Sequence, residues 1–136
     1  NVKEDLLELW SRIVFNICIS NTDDHLRNHG FLYKNAGWEL SPLFDINPIP
    51  YSQGLTLNIT ENDNSLNLEL ALQTAELYHI RKSSAIDIIN KILAVVKNWR
   101  KVAESHNIKK EEFNYLEDAF KHSKELNKGF FISNNP

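Results

Sequence analysis

The chain has 136 residues, 42% of them hydrophobic and 24% charged, the composition of one ordinary folded domain with enough length for a sizeable core. A net charge of −3 excludes a strongly basic surface for nucleic acid, and a single cysteine, Cys18, excludes a disulfide framework and suits a reducing compartment. No apolar run reaches spanning length and no signal peptide opens the chain, so a cytoplasmic protein without a membrane partner is expected.

From the N-terminus, Leu6, Leu9, Trp10, Ile13, Val14, Ile17 and Cys18 recur at helical spacing, which predicts an amphipathic helix over Val2 to Ile19. Ser20-Asn21 ends it. Phe31-Leu32-Tyr33 and Trp38-Glu39-Leu40 then flank Lys34-Asn35-Ala36-Gly37, and apolar, aromatic-rich ends around a turn with Asn and Gly predict a small β-hairpin. Three prolines within Pro42 to Pro50 exclude helix or central strand there. Residues 53–65 read as polar and irregular, with a short strand expected at Leu55–Ile59.

The remainder reads as helical. Leu66 to Tyr78 carries Leu and Ala at mixed spacing. Ser84 to His106 is expected as one long helix, with Ser84 and Asp87 as a capping box. Its buried stripe would be Ile88, Ile89, Ile92, Val95, Val96, Trp99, Val102 and Ala103. A third amphipathic helix is expected over Lys109 to Asn127, built on Phe113, Leu116 and Phe120 and stopped by Gly129, with Phe130 and Phe131 folding back onto it. Trp10, Trp38 and Trp99 read as packing residues rather than a base-stacking platform, since basic residues do not gather around them. The fold class is therefore mainly α with one small hairpin, in a single domain over residues 1–136.

The chemistry concentrates between the first helix and the hairpin. Residues 20–33, Ser-Asn-Thr-Asp-Asp-His-Leu-Arg-Asn-His-Gly-Phe-Leu-Tyr, hold two aspartates, two histidines and two asparagines. Asp23 is followed by four residues and Asn28, then by the hairpin, then by Asp45. Mg²⁺ takes hard oxygen ligands and usually only one or two from protein, the rest coming from phosphate and water. Asn28 and Asp45 suit that need, and Asp23 is left to accept a proton, which is the division of labour in kinase-type phosphoryl transfer. His-Arg does not precede the base; Asn21-Thr22 stands there instead, unlike ordinary eukaryotic-type protein kinases.

Asn21 to Leu32 followed by Trp38 to Pro50 resembles the signature of the HipA family, bacterial serine/threonine kinases that act as toxins of toxin–antitoxin pairs. That signature has the form Asp-x-His-x-Lys-Asn, then Leu-Ser/Thr-Pro-x-Tyr/Phe-Asp. Here Arg27 stands where Lys is frequent, and Phe44 where Tyr is common. The resemblance implies a helical C-terminal lobe of a kinase-like fold, with Asp23 as catalytic base and Asn28 and Asp45 holding Mg²⁺ beneath the ATP phosphates. It also implies a protein Ser/Thr hydroxyl as acceptor, with aminoacyl-tRNA synthetases as targets in the family, and a HipB-like DNA-binding antitoxin as partner.

The four glycines are scattered singly, so no phosphate-covering Gly-rich loop occurs, and methionine is absent from a chain that starts at Asn1. A piece of a longer protein is therefore expected, with the N-terminal kinase lobe supplied in cis or in trans. Around the base, His25 is expected to orient the loop backbone, Asp24 to be solvated or to support the site, and Arg27 to form a surface salt bridge or neutralise phosphate. The competing reading is a non-catalytic interaction module, a degenerate kinase lobe that binds an antitoxin or partner lobe. The intact Asp23, Asn28 and Asp45 set favours catalysis.

Overall fold

The structure, a computed structural model, describes residues 1–35 and 37–128. Helix α1 runs Val2–Cys18, with Glu4 and Asp5 in its first turn, where acidic groups complement the helix dipole. It stops where Ser20 takes a left-handed conformation (φ 53°) and the Asn21 amide turns back to the Asn16 carbonyl at 2.8 Å. After the polar loop, β1 (Phe31–Lys34) and β2 (Gly37–Leu40) form an antiparallel hairpin. Its register pairs Phe31 with Leu40 and Tyr33 with Trp38, and the last two rings meet edge to face at 5.4 Å. Trp38 is 67% exposed, so it packs within the hairpin and not in the core.

Three further elements complete the core. Helix α2 is Leu68–Thr74, capped by the Asn67 side chain, which accepts from the Glu69 and Leu70 amides. Helix α3 is Lys82–Val96, and between them Ala75–Tyr78 tightens to a 3₁₀ turn that ends at left-handed His79. Trp10, Val14, Ile17 and Cys18 of α1 pack against Leu68, Ala71, Ala85, Ile89 and Leu93, all at most 1% exposed. The Trp10 indole N–H donates to the Ala71 carbonyl at 3.1 Å, so the largest core side chain buries no orphan donor. No helix among the described residues is long and apolar enough to cross a membrane.

Several expected elements are corrected. Leu55–Ile59 forms no strand; the Leu55 and Ile59 amides bond to Asn64 and Asp63 across their own loop. Helix α2 starts at Leu68 rather than Leu66. Ser84 is not a cap, because α3 begins at Lys82 with Arg81 preceding it and no side-chain cap bond. The long helix breaks at Lys97–Asn98, and α4 (Trp99–Ser105) follows as a separate element. Val95 and Val102, expected in the buried stripe, are 70% and 55% exposed, whereas Leu93 is fully buried. The expected third helix is α5 (Lys110–Leu116) followed by 3₁₀ geometry over Glu117–Lys128, kinked at Phe120. Phe120 stacks on Trp99 at 4.3 Å, and Phe113 meets the same indole edge on at 5.6 Å. Ala36 of the hairpin turn, Gly129, Phe130 and Phe131 lie outside the described residues.

Candidate functional site

One row of α1 fastens the polar region. Asp5, Glu8, Arg12 and Asn16 recur three or four residues apart, so they lie on one side of the helix. Asp5 accepts the Leu40 amide at 3.1 Å, at the end of β2. Arg12, only 3% exposed, pairs with Glu8 at 2.9 Å and donates to the Ser41 carbonyl at 2.6 Å. Asn16 donates to Asp24 Oδ2 at 2.7 Å and accepts from Asn21 at 3.0 Å. Helix α1 therefore holds both the polar loop and the start of the proline-rich segment.

Asp24 is buried rather than solvated, and its other oxygen lies 2.9 Å from His29 Nε2. A carboxylate held on both oxygens in a buried place is a structural pin. It helps line a cavity of about 360 Å³ together with Ile13, Leu26, Phe31, Leu55 and Tyr78. The lining includes Asp24 and His29, the neighbours of Asp23 and Asn28, but none of Asp23, Asn28 or Asp45 themselves.

Asp23 points to solvent, and among the described residues no hydrogen bond or ion pair engages its carboxylate. A short 3₁₀ turn, Leu26–Asn28, brings Asn28 back so that its Nδ2 reaches the Asp23 carbonyl at 3.4 Å. That contact uses the amide nitrogen of a buried side chain and leaves Oδ1 as a hard oxygen donor. His25 is not seen bonding the loop backbone as expected: Arg27 Nη2 donates to its Nε2 at 3.3 Å, and its buried Nδ1 has no partner among the described residues. Arg27 thus meets a histidine instead of the acid expected for a surface salt bridge.

Asp45 arrives by a different route. The Ser41 amide bonds to the Gly30 carbonyl at 2.8 Å, closing the hairpin base. A Cβ on Gly30 would lie 3.2 Å from Ser41 Oγ and 3.8 Å from the Phe44 ring, so the segment crosses the loop where a side chain would crowd it. Asp45 follows in a left-handed conformation (φ 57°), exposed, with Oδ1 accepting from Asn47 at 3.1 Å. Among the described residues no hydrogen bond joins Asp45 to Asp23 or Asn28, and no three His, Cys, Asp or Glu groups form a metal cluster. An amide oxygen and one carboxylate are nevertheless a donor set that suits Mg²⁺ when phosphate and water supply the rest.

The family of the HipA-like C-terminal domain matches residues 1–99, almost three-quarters of the chain. The chain belongs to the HipA family. No curated protein and no solved structure matches it. The HipA-like match spans α1, the polar loop, the hairpin, the proline-rich segment, α2 and α3, and stops at Trp99.

Asn16, Asn21, His29 and Arg12 are the site residues that reading the sequence missed. Asn16 and Arg12 are polar positions on the amphipathic helix α1 and read as solvated until the loop they hold is seen. Nothing in the spacing points to His29, which is recruited only because the 3₁₀ turn carries it back to Asp24.

Proposed function

We propose that this chain is the C-terminal catalytic lobe of a HipA-like kinase that transfers the γ-phosphoryl group of ATP to a protein Ser/Thr hydroxyl. The observation that carries the reading is the exposed, unengaged carboxylate of Asp23, with Asn28 folded back against its carbonyl inside a HipA-like domain. A carboxylate without partners at the surface is available to a substrate hydroxyl. That hydroxyl loses its proton to Asp23 as its oxygen bonds the γ-phosphorus and the bond to the ADP oxygen breaks. Asn28 Oδ1 and the Asp45 carboxylate would hold Mg²⁺, which when bound neutralises charge on the phosphates. Asp24 and His29 keep the loop in place, and His25 and Arg27 form its outer edge.

Phosphate-covering parts would come from an N-terminal lobe in cis or in trans. A cytoplasmic toxin–antitoxin setting, a HipB-like antitoxin and an aminoacyl-tRNA synthetase substrate are the corresponding partner proposals. The test is transfer from γ-labelled ATP by the longest native chain containing this segment, with its partner lobe, beside Asp23→Asn. Label on the protein or a lysate target with the wild type alone is the expected result. No label from a folded, two-lobed wild type would favour a non-catalytic binding module instead.

A further inference from the structure

The loop after the proline-rich segment reaches the residue before the base through Thr56. Thr56 donates twice to the Thr22 carbonyl, from Oγ1 at 2.7 Å and from its backbone amide at 3.1 Å. Thr22 immediately precedes Asp23. A peptide unit is planar, so its carbonyl oxygen, the next amide nitrogen and the next Cα move as one body. Two bonds on Thr22 O therefore orient the plane that carries the Asp23 nitrogen and Cα. Among the described residues no hydrogen bond or ion pair steadies the Asp23 carboxylate, and the Asn28 contact on the Asp23 carbonyl is long, at 3.4 Å. The backbone is what aims this carboxylate, and Thr56 is its shortest anchor.

Thr56 is itself delivered by a stapled loop. Asn64 Nδ2 donates to the Leu55 carbonyl at 2.7 Å and the Leu55 amide returns to the Asn64 carbonyl at 2.8 Å. Leu55 is buried in the core, so residue 56 starts from a fixed point. Ser65 holds the other end, its amide on Asp63 Oδ1 at 2.9 Å, and that bond, with a further one from the Ser65 side chain, lowers the Asp63 carboxyl below its ordinary value of 3.8. Compact surface loops whose ends are tied together in this way often carry function.

We infer that Thr56 is a positioning residue for the phosphoryl-transfer base, acting on Asp23 through the Thr22–Asp23 peptide plane. The inference rests on the kinase reading of Asp23 given above. Misplacing a reacting group by about 1 Å costs on the order of a hundredfold in rate, so partial loosening of this plane is expected to cost about tenfold.

The experiment compares Thr56→Val and Thr56→Ser with the wild type in the full native chain, partner lobe included. Valine keeps the shape and the backbone bond but loses the hydroxyl donor, whereas serine keeps the donor. Thr56→Val is expected to lower kcat about tenfold, with KM for ATP and melting temperature unchanged, and Thr56→Ser to restore it. Amide exchange over residues 21–24 should rise in the valine variant alone, a readout that needs no activity. Wild-type transfer with an unaltered Thr56→Val, or loss that serine does not rescue, would overturn the positioning role and leave the kinase reading standing. Absence of transfer by the wild type overturns the kinase reading and the role with it. Raised exchange would then report only a clamp on the loop.

Discussion

Asn16 donates to Asp24 Oδ2 at 2.7 Å, joining the last turns of α1 to the residue next to the proposed base. His29 takes the opposite oxygen at 2.9 Å, and the Asp24 side chain is only 9% exposed. Removing the carboxylate strands buried Asn16 and half-buried His29 at once, and stranded polar groups cost much of their desolvation. Asp24→Ala should therefore destabilise the fold by about 2–4 kcal/mol. Urea unfolding reads this directly, and a midpoint equal to wild type would show that the pin does not bear on stability.

Asp45→Asn separates charge from shape. Asparagine tolerates the left-handed backbone found at residue 45 and can still accept from Asn47, so the local fold should survive. Only the negative charge proposed to meet Mg²⁺ is lost. Mg²⁺-dependent nucleotide binding by the two-lobed protein should weaken at least about tenfold at an unchanged melting temperature. Equal affinity in the variant would remove Asp45 from the metal site.

A pH dependence follows from the contact between the proline-rich segment and the C-terminal region. The Tyr51 backbone N–H donates to Asp118 Oδ2 at 2.7 Å and lowers the Asp118 carboxyl below its ordinary value of 3.8, outweighing an opposing desolvation, with Lys121 and His122 adding to the lowering. Because the folded value is depressed, the ionised carboxylate stabilises the folded state. That contribution is whole above 3.8 and fades as pH falls through the lower folded value. Tyr51 and Tyr115, whose rings meet edge to face at 6.1 Å, should separate in the same range. The protection of the Tyr51 amide relative to its intrinsic exchange rate, followed below about pH 5, should fall in wild type and lose this pH step in Asp118→Ala. The same step in both proteins would place the transition elsewhere.

The sequence was most readable where one periodicity acted alone. Helix α1, the hairpin and the absence of helix or strand over Pro42 to Pro50 follow from helical spacing, a turn between apolar ends and clustered proline. The strand expected at Leu55–Ile59 failed because its apolar residues serve a loop that bonds to itself through Asn64 and Asp63. At the site, Asp23, Asn28 and Asp45 could be picked out by type and order. The row Asp5, Glu8, Arg12 and Asn16 could not, since polar residues on an amphipathic helix read as solvated until the loop they hold is seen. Long-range partners such as Thr22 and Thr56 leave no mark in local sequence.

The break between α3 and α4 yields the sharpest contrast between pattern and structure. A single helix over Ser84 to His106 would bury Val95 and Val102 on one stripe with Ile88 and Ile92. In the fold, Asn98 interrupts the ladder, its Nδ2 bonding back to the Ala94 carbonyl at 3.0 Å, and the chain restarts as α4 at Trp99. Burial then follows Ala85, Ile89, Leu93 and Val96, a row spaced by three or four residues, and Val95 is left facing water. Leu93→Ala should cost about 2–5 kcal/mol, since it empties a site in close-packed contact with α1 and α2. Val95→Gln should change stability by less than about 0.5 kcal/mol. Unfolding curves of the two variants decide between the faces: comparable losses, or a larger loss at Val95, would mean that α3 is rotated from the orientation described.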